Sequence, residues 1–182
     1  MTIVNTSITI AKKKTPNDKI YTPHSLVERH ITHVAELFLP NDTIYEPFSG
    51  DGRYVTALKN KFPDNAILHT EIDSGSDFFL FTDDVDVIIS NPPYSIIDKV
   101  LKKSVELKPR VISYLFGYVN VTPKRIAFLN NNGYFIAKFL LCRVRTWFGI
   151  TAIITVSNDI TKNLIDVEPY EFNDLTNRKH LT

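Results

Sequence analysis

Asn91-Pro92-Pro93-Tyr94 follows an apolar run, Val85 to Ser90, that reads as a strand buried on both faces. A side-chain amide, a carbonyl fixed between two prolines and an aromatic ring make a grip for a flat amino group. The lone pair of such a nitrogen is delocalised into the neighbouring π-system, so the nitrogen is a poor nucleophile. Acceptors that hold its two N–H bonds and draw the lone pair out of the conjugated plane correct this. Asn91 offers a side-chain carbonyl and Pro92 a backbone carbonyl, while Tyr94 can stack on the flat group. Consecutive prolines have fixed φ and no N–H, which aims that carbonyl in one direction. Acceptors preorganised in this way need no rearrangement during reaction. By itself the tetrapeptide also fits a plain strand-ending turn.

A second motif lies upstream. Ile44 to Gly52, reading Ile-Tyr-Glu-Pro-Phe-Ser-Gly-Asp-Gly, is a short strand entering a glycine turn, and Val55, Leu58 and Phe62 follow at helical spacing. Glycines there let a ligand approach the backbone and expose N–H groups at a helix start. Neither phosphate-binding glycine pattern is present, and Glu46 would repel phosphate but suits a cationic or hydroxyl-bearing ligand. About twenty residues on, Ala66 to Glu71 reads as a second strand ending in a carboxylate, the position that binds ribose hydroxyls in dinucleotide-type folds. Asp77 beside Phe78 and Phe79 offers an acceptor for an adenine amino group next to an apolar clamp. Asp51 and Asp73 read equally well as ligand neighbours or as turn and cap residues.

Over residues 20–157 these motifs, in this order, resemble the S-adenosylmethionine-dependent DNA adenine-N6 methyltransferases. The resemblance implies a doubly wound, mostly parallel, seven-stranded α/β Rossmann-like sheet with a C-terminal antiparallel hairpin. It implies S-adenosylmethionine as cofactor, held by Tyr21-Thr22-Pro23, Glu46-Pro47-Phe48-Ser49-Gly50, Glu71-Ile72, Asp77-Phe78 and Asn91. Asn91, Pro92, Pro93 and Tyr94 become the catalytic group, with Asn91 and the Pro92 carbonyl on the target N6 and Tyr94 on the flipped base. Other enzymes that methylate conjugated nitrogens resemble the same tetrapeptide: those acting on adenine N6 or guanine N2 of RNA, and those acting on glutamine of peptide-release factors. The last usually carry an N-terminal helical domain. A non-catalytic subunit that keeps the fold is the alternative outside enzymes. Sequence-reading members of the resembled family usually have a large recognition domain, and no segment here reads as one. Weak sequence preference, or recognition by a partner subunit, is the expectation.

With 182 residues and 43% hydrophobic content the chain can bury one sizeable core. A lone cysteine, Cys142, precludes an intramolecular disulfide, and no signal-like or spanning apolar segment stands out; the expectation is a cytoplasmic protein without membrane contact. Cys142 reads as strand packing. His30 and His33 lie one helical turn apart but no third ligand follows at a metal-binding spacing, so no metal is expected. The net charge of +1 hides an asymmetry: residues 51–100 carry four basic and nine acidic side chains, residues 101–150 nine basic and one acidic. The basic set (Lys102, Lys103, Lys108, Arg110, Lys124, Arg125, Lys138, Arg143, Arg145) could meet nucleic-acid phosphates, DNA more readily than RNA on the resemblance.

The elements that must position this chemistry alternate between strand and helix, the pattern of a parallel sheet covered on both faces. A flexible basic arm (1–20) with Lys12-Lys13-Lys14 precedes the methyltransferase domain (21–160), and a polar tail (161–182) follows. The spacing of Leu26, Ile31, Val34, Leu37 and Phe38 predicts a helix over 23–38, with Thr22 as cap. Strands are expected near 43–46, 66–71, 85–90 and 111–116, and helices near 53–62, 96–106 and 122–131. Tyr134 to Leu141 and Ile150 to Ser157 read as the closing hairpin. If its first strand runs parallel to those carrying Glu46 and Asn91, the loop Arg143 to Gly149 overhangs the strands' carboxyl ends, where open α/β sheets bind ligands. Arg143 and Arg145 would then contact phosphate, and Trp147 or Phe148 would hold a flipped base opposite Tyr94, unless these aromatics pack beneath the hairpin.

Overall fold

Neighbouring residues along the central strands point to opposite faces, and here both faces are apolar. Strands β1 (Ile44–Glu46), β2 (Ile67–His69), β3 (Val87–Ser90) and β4 (Val111–Gly117) run parallel. Ile44, Val87, Ile89 and Val111 pack on one face, against helices α1 (His24–Val34) and α2 (Arg53–Lys61). Tyr45, Ile88 and Ile112 pack on the other, against α3 (Ile97–Glu106) and α4 (Pro123–Asn131). Each such valine or isoleucine taken from water contributes ~1.5–3 kcal/mol, so the doubly covered strands are the rigid base of the molecule. The computed structural model describes residues 21–165 apart from 146 and 148. The arm before residue 21, Phe148 and the tail from 166 lie outside the described residues.

The sheet order is β2-β1-β3-β4-β6-β5, with β5 (Phe135–Cys142) and β6 (Thr151–Ser157) forming the antiparallel hairpin. The described sheet has six strands, one fewer than expected. Only residues 70–86 separate β2 from β3, and a further parallel strand would need a crossover of a dozen or more residues on each side. That segment instead makes two short 3₁₀ turns, Ile72–Ser74 and Phe78–Leu80, which leaves β2 as the sheet edge. β5 and β4 are both antiparallel to β6, so β5 is parallel to the strands carrying Glu46 and Asn91. The loop after Cys142 therefore lies at the same end of the sheet as Asn91.

The first helix is shorter than its apolar spacing predicts: it ends at Val34 and continues as a 3₁₀ turn, Ala35–Leu37. Thr22 does not cap it. Pro23 occupies the N-cap position with no side-chain cap bond, and the Thr22 hydroxyl has partners elsewhere. Thr122 does cap α4, its hydroxyl accepting from the Arg125 N–H, with Pro123 in the first turn. The start of the predicted tail is tied down: Asn163 Oδ1 accepts from the Ile136 N–H at 2.8 Å, and the Leu164 N–H donates to the Ile136 carbonyl at 2.8 Å. Among the described residues no helix is long and apolar enough to cross a membrane.

Candidate active site

β1 ends in a carboxylate that never reaches solvent. Glu46 is fully buried, and its Oε1 accepts from the Phe48 N–H at 2.9 Å and from the Ser90 hydroxyl at the end of β3. Its Oε2 has no hydrogen-bond partner, and burial pushes the carboxyl up to about 8, against the pull of those two donors. Beyond it the chain turns through Gly50 and Gly52, both with positive φ, into α2. The Tyr21 ring lies on this turn, with Tyr21 Cε1 3.4 Å from where a Cβ of Gly50 would stand, and it is the positive φ that requires the glycine. Glu71 ties the ends of β1 and β2 together: its Oε2 accepts from the Gly50 N–H at 2.6 Å and its Oε1 from the Asp73 N–H at 3.4 Å. Asp77 caps its own 3₁₀ turn through the Phe79 N–H at 2.9 Å, and the buried Phe78 ring meets Phe48 edge-on at 5.2 Å.

The residues after β3 face the same space. Asn91 Nδ2 donates to Thr22 Oγ1 at 3.1 Å, joining the tetrapeptide to the Tyr-Thr-Pro segment. That segment is pinned by Arg53, which donates to the Thr22 carbonyl, stacks over the Tyr21 ring at 5.4 Å and pairs with Asp51. The guanidinium in turn holds the Asp51 carboxyl below its ordinary range. Together these elements enclose a cavity of about 470 Å³, inside the ~300–1,000 Å³ span of small-molecule sites. Every residue expected to hold the cofactor lines it except Pro23, at the start of α1, and Glu46, which lies behind the turn. Asn91, Pro92 and Pro93 line it too. Tyr94 does not: it begins a 3₁₀ turn, and its ring lies against Gly117 at the end of β4, where a Cβ would come 3.7 Å from Tyr94 Cε2.

The hairpin loop divides by side chain. Arg143 and Arg145 are exposed, whereas Val144 and Trp147 pack with Cys142 against the buried Leu26, Leu115 and Ile153. Trp147 thus sits on the core beneath the hairpin, as Cys142 does, and burial raises the Cys142 thiol. Three of the basic residues expected to meet phosphates are engaged in the fold. Arg110 pairs with Asp42 at 2.7 Å and Asp159 at 2.8 Å, Arg125 with Asp98 at 2.6 Å, and Lys138 with Glu36 at 2.7 Å. Their carboxylates are distant in sequence, which hid the pairing.

Arg53 and Tyr54 line the cavity without having been singled out by the sequence. The clue for Tyr54 was a hydroxyl on the core-facing side of α2, beside Ala57 and Leu58, where it needs a partner. That partner is His30, whose two ring nitrogens lie 2.8 Å from Tyr54 Oη and 2.8 Å from Ser113 Oγ. Burial lowers the imidazole to about 3, so it is neutral. Hydroxyls are its hydrogen-bond partners, and nearby His33 adds a like-charge push in the same direction as burial.

The lining suits a nucleoside with a charged tail. Carboxylates Glu71 and Asp77 stand beside the apolar Phe48, Ile72 and Phe79, and the Glu46 oxygen without a partner lies under the turn. No protein-family model matches the sequence, and no curated protein does. Solved structures do match. A protein of Pyrococcus horikoshii assigned as an RNA methyltransferase aligns with TM-score 0.58 at 15% identity, over 85% of this chain and 98% of that one. TrmK of M. capricolum, solved with S-adenosyl-homocysteine, aligns with TM-score 0.54 at 9% identity, over 75% of this chain and 70% of that one. The E. cuniculi Mtq2–Trm112 complex, which methylates the termination factor eRF1, aligns with TM-score 0.53 at 18% identity, over 78% and 98%. At these identities the likeness establishes the fold, the mixed α/β, Rossmann-like sheet of methyltransferases.

Proposed function

We propose that this protein transfers a methyl group from S-adenosylmethionine to the N6 amino group of adenine in DNA. One observation carries the reading: Asn91, Pro92 and Pro93 line the same cavity as the glycine turn and the carboxylates Glu71 and Asp77, with the Asn91 amide held by Thr22. In this reading Glu71 takes ribose hydroxyls, Asp77 an amino group, Phe48, Ile72 and Phe78 the flat ring, and Tyr21 and Thr22 the methionine end, with Glu46 and Pro23 behind them outside the lining. When bound, the cofactor supplies an electrophilic methyl carbon on a positively charged sulfur. Asn91 Oδ1 and the Pro92 carbonyl accept the two amine N–H bonds and leave the nitrogen lone pair in line for displacement. Neither is a base, and the surplus proton passes to solvent. A base in a duplex cannot reach these acceptors, so it is flipped out. Tyr94, whose ring rests against Gly117 outside the cavity lining, would turn onto it, and the exposed Arg143 and Arg145 steady the backbone phosphates. Sequence preference is weak, or comes from a partner subunit.

A second reading has one observation in its favour. The same two acceptors fit a glutamine amide, and a release-factor methyltransferase is among the structures of similar fold. Incubation with labelled S-adenosylmethionine and duplex DNA, single-stranded DNA, RNA or release factor, followed by mass spectrometry of the digests, tests both. N6-methyladenine in DNA is the expected product. Methylglutamine or a methylated RNA base would replace the substrate assignment, and no transfer to any of them would overturn the enzymatic reading.

A further inference from the structure

We infer that the outer edge of β5 is the docking surface for this chain's own residues 166–174, which add a strand parallel to β5 and bring carboxylates to Arg143 and Arg145, in competition with nucleic-acid phosphates. The seat of the strand stands on the fold alone; the competition rests on the proposed nucleic-acid function. β5 closes the sheet: β6 pairs with one of its edges, and among the described residues no strand lies along the other. An edge of eight mostly apolar residues is a template for pairing unless it is guarded or covered. A lysine held over the edge is a common guard, but Lys138 is turned onto α1, where it donates to the His33 carbonyl at 2.5 Å and pairs with Glu36. Phe139 and Leu140 remain only partly buried, on opposite faces, and Leu141 is 51% exposed.

The chain already starts along that edge. Leaving β6, it passes the amino ends of the parallel strands, where the Asn158 N–H donates to the Arg110 carbonyl. The Leu164 N–H then donates to the Ile136 carbonyl at 2.8 Å, and Asn163 Oδ1 accepts from the Ile136 N–H, so both backbone groups of Ile136 point away from β6. Coming from that end, the chain is headed along β5 towards Arg143. Backbone N–H groups alternate in direction along a strand, so with Leu164 facing β5 those of 166 and 168 face it too, and those of 165, 167 and 169 face away. Position 169 is a proline, whose missing N–H then costs no bond, the phase in which edge strands carry prolines. Glu168, ahead of that proline, is biased towards extended backbone. Arg143 lies seven residues beyond Ile136 and Glu171 seven beyond Leu164. Neighbouring strands rise alike, so Glu171 stands beside Arg143 to within the one residue absorbed by the bulge near Lys138. Residues 166–174 carry Asp166, Glu168, Glu171 and Asp174 and no lysine or arginine. Arg143 and Arg145 are exposed and form no ion pair among the described residues. Tethered at Leu164, those carboxylates reach an effective concentration on the order of millimolar, which lets individually weak pairs hold.

Amide hydrogen exchange of the full chain, read by NMR, tests the seat. β6 can bond only alternate N–H groups of β5, so slow exchange at every residue from 138 to 142 requires a strand on the outer edge. Wild type should show it. Glu168→Pro removes an N–H aimed at β5 and should speed the outward amides about tenfold or more, whereas Glu168→Gln keeps that N–H and should leave them slow. Fluorescence anisotropy with a DNA duplex at low salt tests the competition. Glu168→Pro and, separately, the pair Glu171→Gln with Asp174→Asn should each lower the Kd about fivefold, the factor for a site about four-fifths occupied by the chain's own carboxylates. Added salt should shrink the difference. Fast outward amides in wild type overturn the docked strand, as does protection indifferent to Glu168→Pro or protection that rises with protein concentration, the sign of a second copy on the edge. Unchanged Kd in these variants overturns the competition. If wild type and variants alike bind no DNA, the proposed function falls instead, and the exchange rates still decide the strand.

Discussion

Replacing Glu46 by glutamine should flatten the dependence of stability on pH above neutrality. The Glu46 carboxyl has an ordinary value of 4.5 and is pushed to about 8 in the fold, because burial disfavours its charged form. Between these values the folded protein binds more protons than the unfolded chain, so stability falls as pH rises. The contribution is fully present below 4.5 and lost as pH passes through about 8. His30 acts in the opposite sense. Its imidazole is lowered from 6.5 to about 3, which makes stability rise with pH up to 6.5 and no further. The Cys142 thiol, raised by burial from an ordinary 9.0, titrates above this range. Between pH 6.5 and 8, Glu46 is therefore the buried group that sets the slope. At about 1.4 kcal/mol for each tenfold change in proton affinity, the wild-type protein should lose ~2 kcal/mol across that interval. Glutamine keeps an acceptor for the Phe48 N–H and the Ser90 hydroxyl and cannot ionise, so its stability should stay level. Urea unfolding followed by far-ultraviolet circular dichroism at pH 6.5, 7, 7.5 and 8 measures both. Parallel wild-type and variant curves would refute the assignment of a protonated, buried Glu46.

Asn91→Ala should abolish methyl transfer while S-adenosyl-homocysteine still binds with a Kd within about fivefold of wild type, since its proposed contact is to the target nitrogen; turnover at the wild-type rate would refute its catalytic role. Arg110 has two carboxylate partners of unequal worth. Asp42 is buried and also accepts from the Leu39 N–H at 2.7 Å, so Asp42→Ala should cost ~2–4 kcal/mol in chemical denaturation. Asp159 has a half-exposed side chain, and Asp159→Ala should cost under ~1 kcal/mol; equal losses would mean that burial does not govern the pair. Arg143→Ala and Arg145→Ala should each weaken DNA binding and reduce the slope of log affinity against log salt by about 1, read by fluorescence anisotropy, whereas an unchanged slope would remove that arginine from the interface.

Much of this site could be read from residue types at strand ends. Carboxylates at the ends of β1 and β2, a glycine turn and an Asn-Pro-Pro after β3 belong to one end of any parallel sheet, and the fold brings all but Glu46, which stays buried behind the turn, around one cavity. The seventh strand came from family likeness rather than from the residues; among the described residues the short span 70–86 forms two 3₁₀ turns in its place. Thr22 misled for a physical reason. A threonine ahead of a helix is a cap by local rules, but a stronger tertiary partner took its hydroxyl. His30 sits on the apolar side of α1 with Val27, Ile31 and Val34, and a polar group there announces that it needs partners. Which partners it finds depends on the crossing of two helices and the facing strand, and no spacing along the chain encodes that.

Two consecutive residues at the end of β3 show how the site is held. Ser90 donates to Glu46 and so locks β3 to the end of β1, while Asn91 donates to Thr22 and so locks it to the segment entering α1. Arg53, at the start of α2, holds the carbonyl of that same Thr22 and lies over Tyr21. β1, β3, α2 and the Tyr-Thr-Pro segment are thus joined by direct hydrogen bonds at the point where the proposed reaction places the substrate nitrogen. A weak nucleophile gains from acceptors only if they are fixed before it arrives, since any reorientation during the reaction would consume the advantage. The cross-links around Asn91 provide that rigidity without help from the loops. The hairpin loop carries two exposed arginines over an apolar underside that packs on the core, apart from these cross-links. Loss of a loop arginine should therefore change substrate affinity, and loss of a cross-link should change the rate of the bound complex.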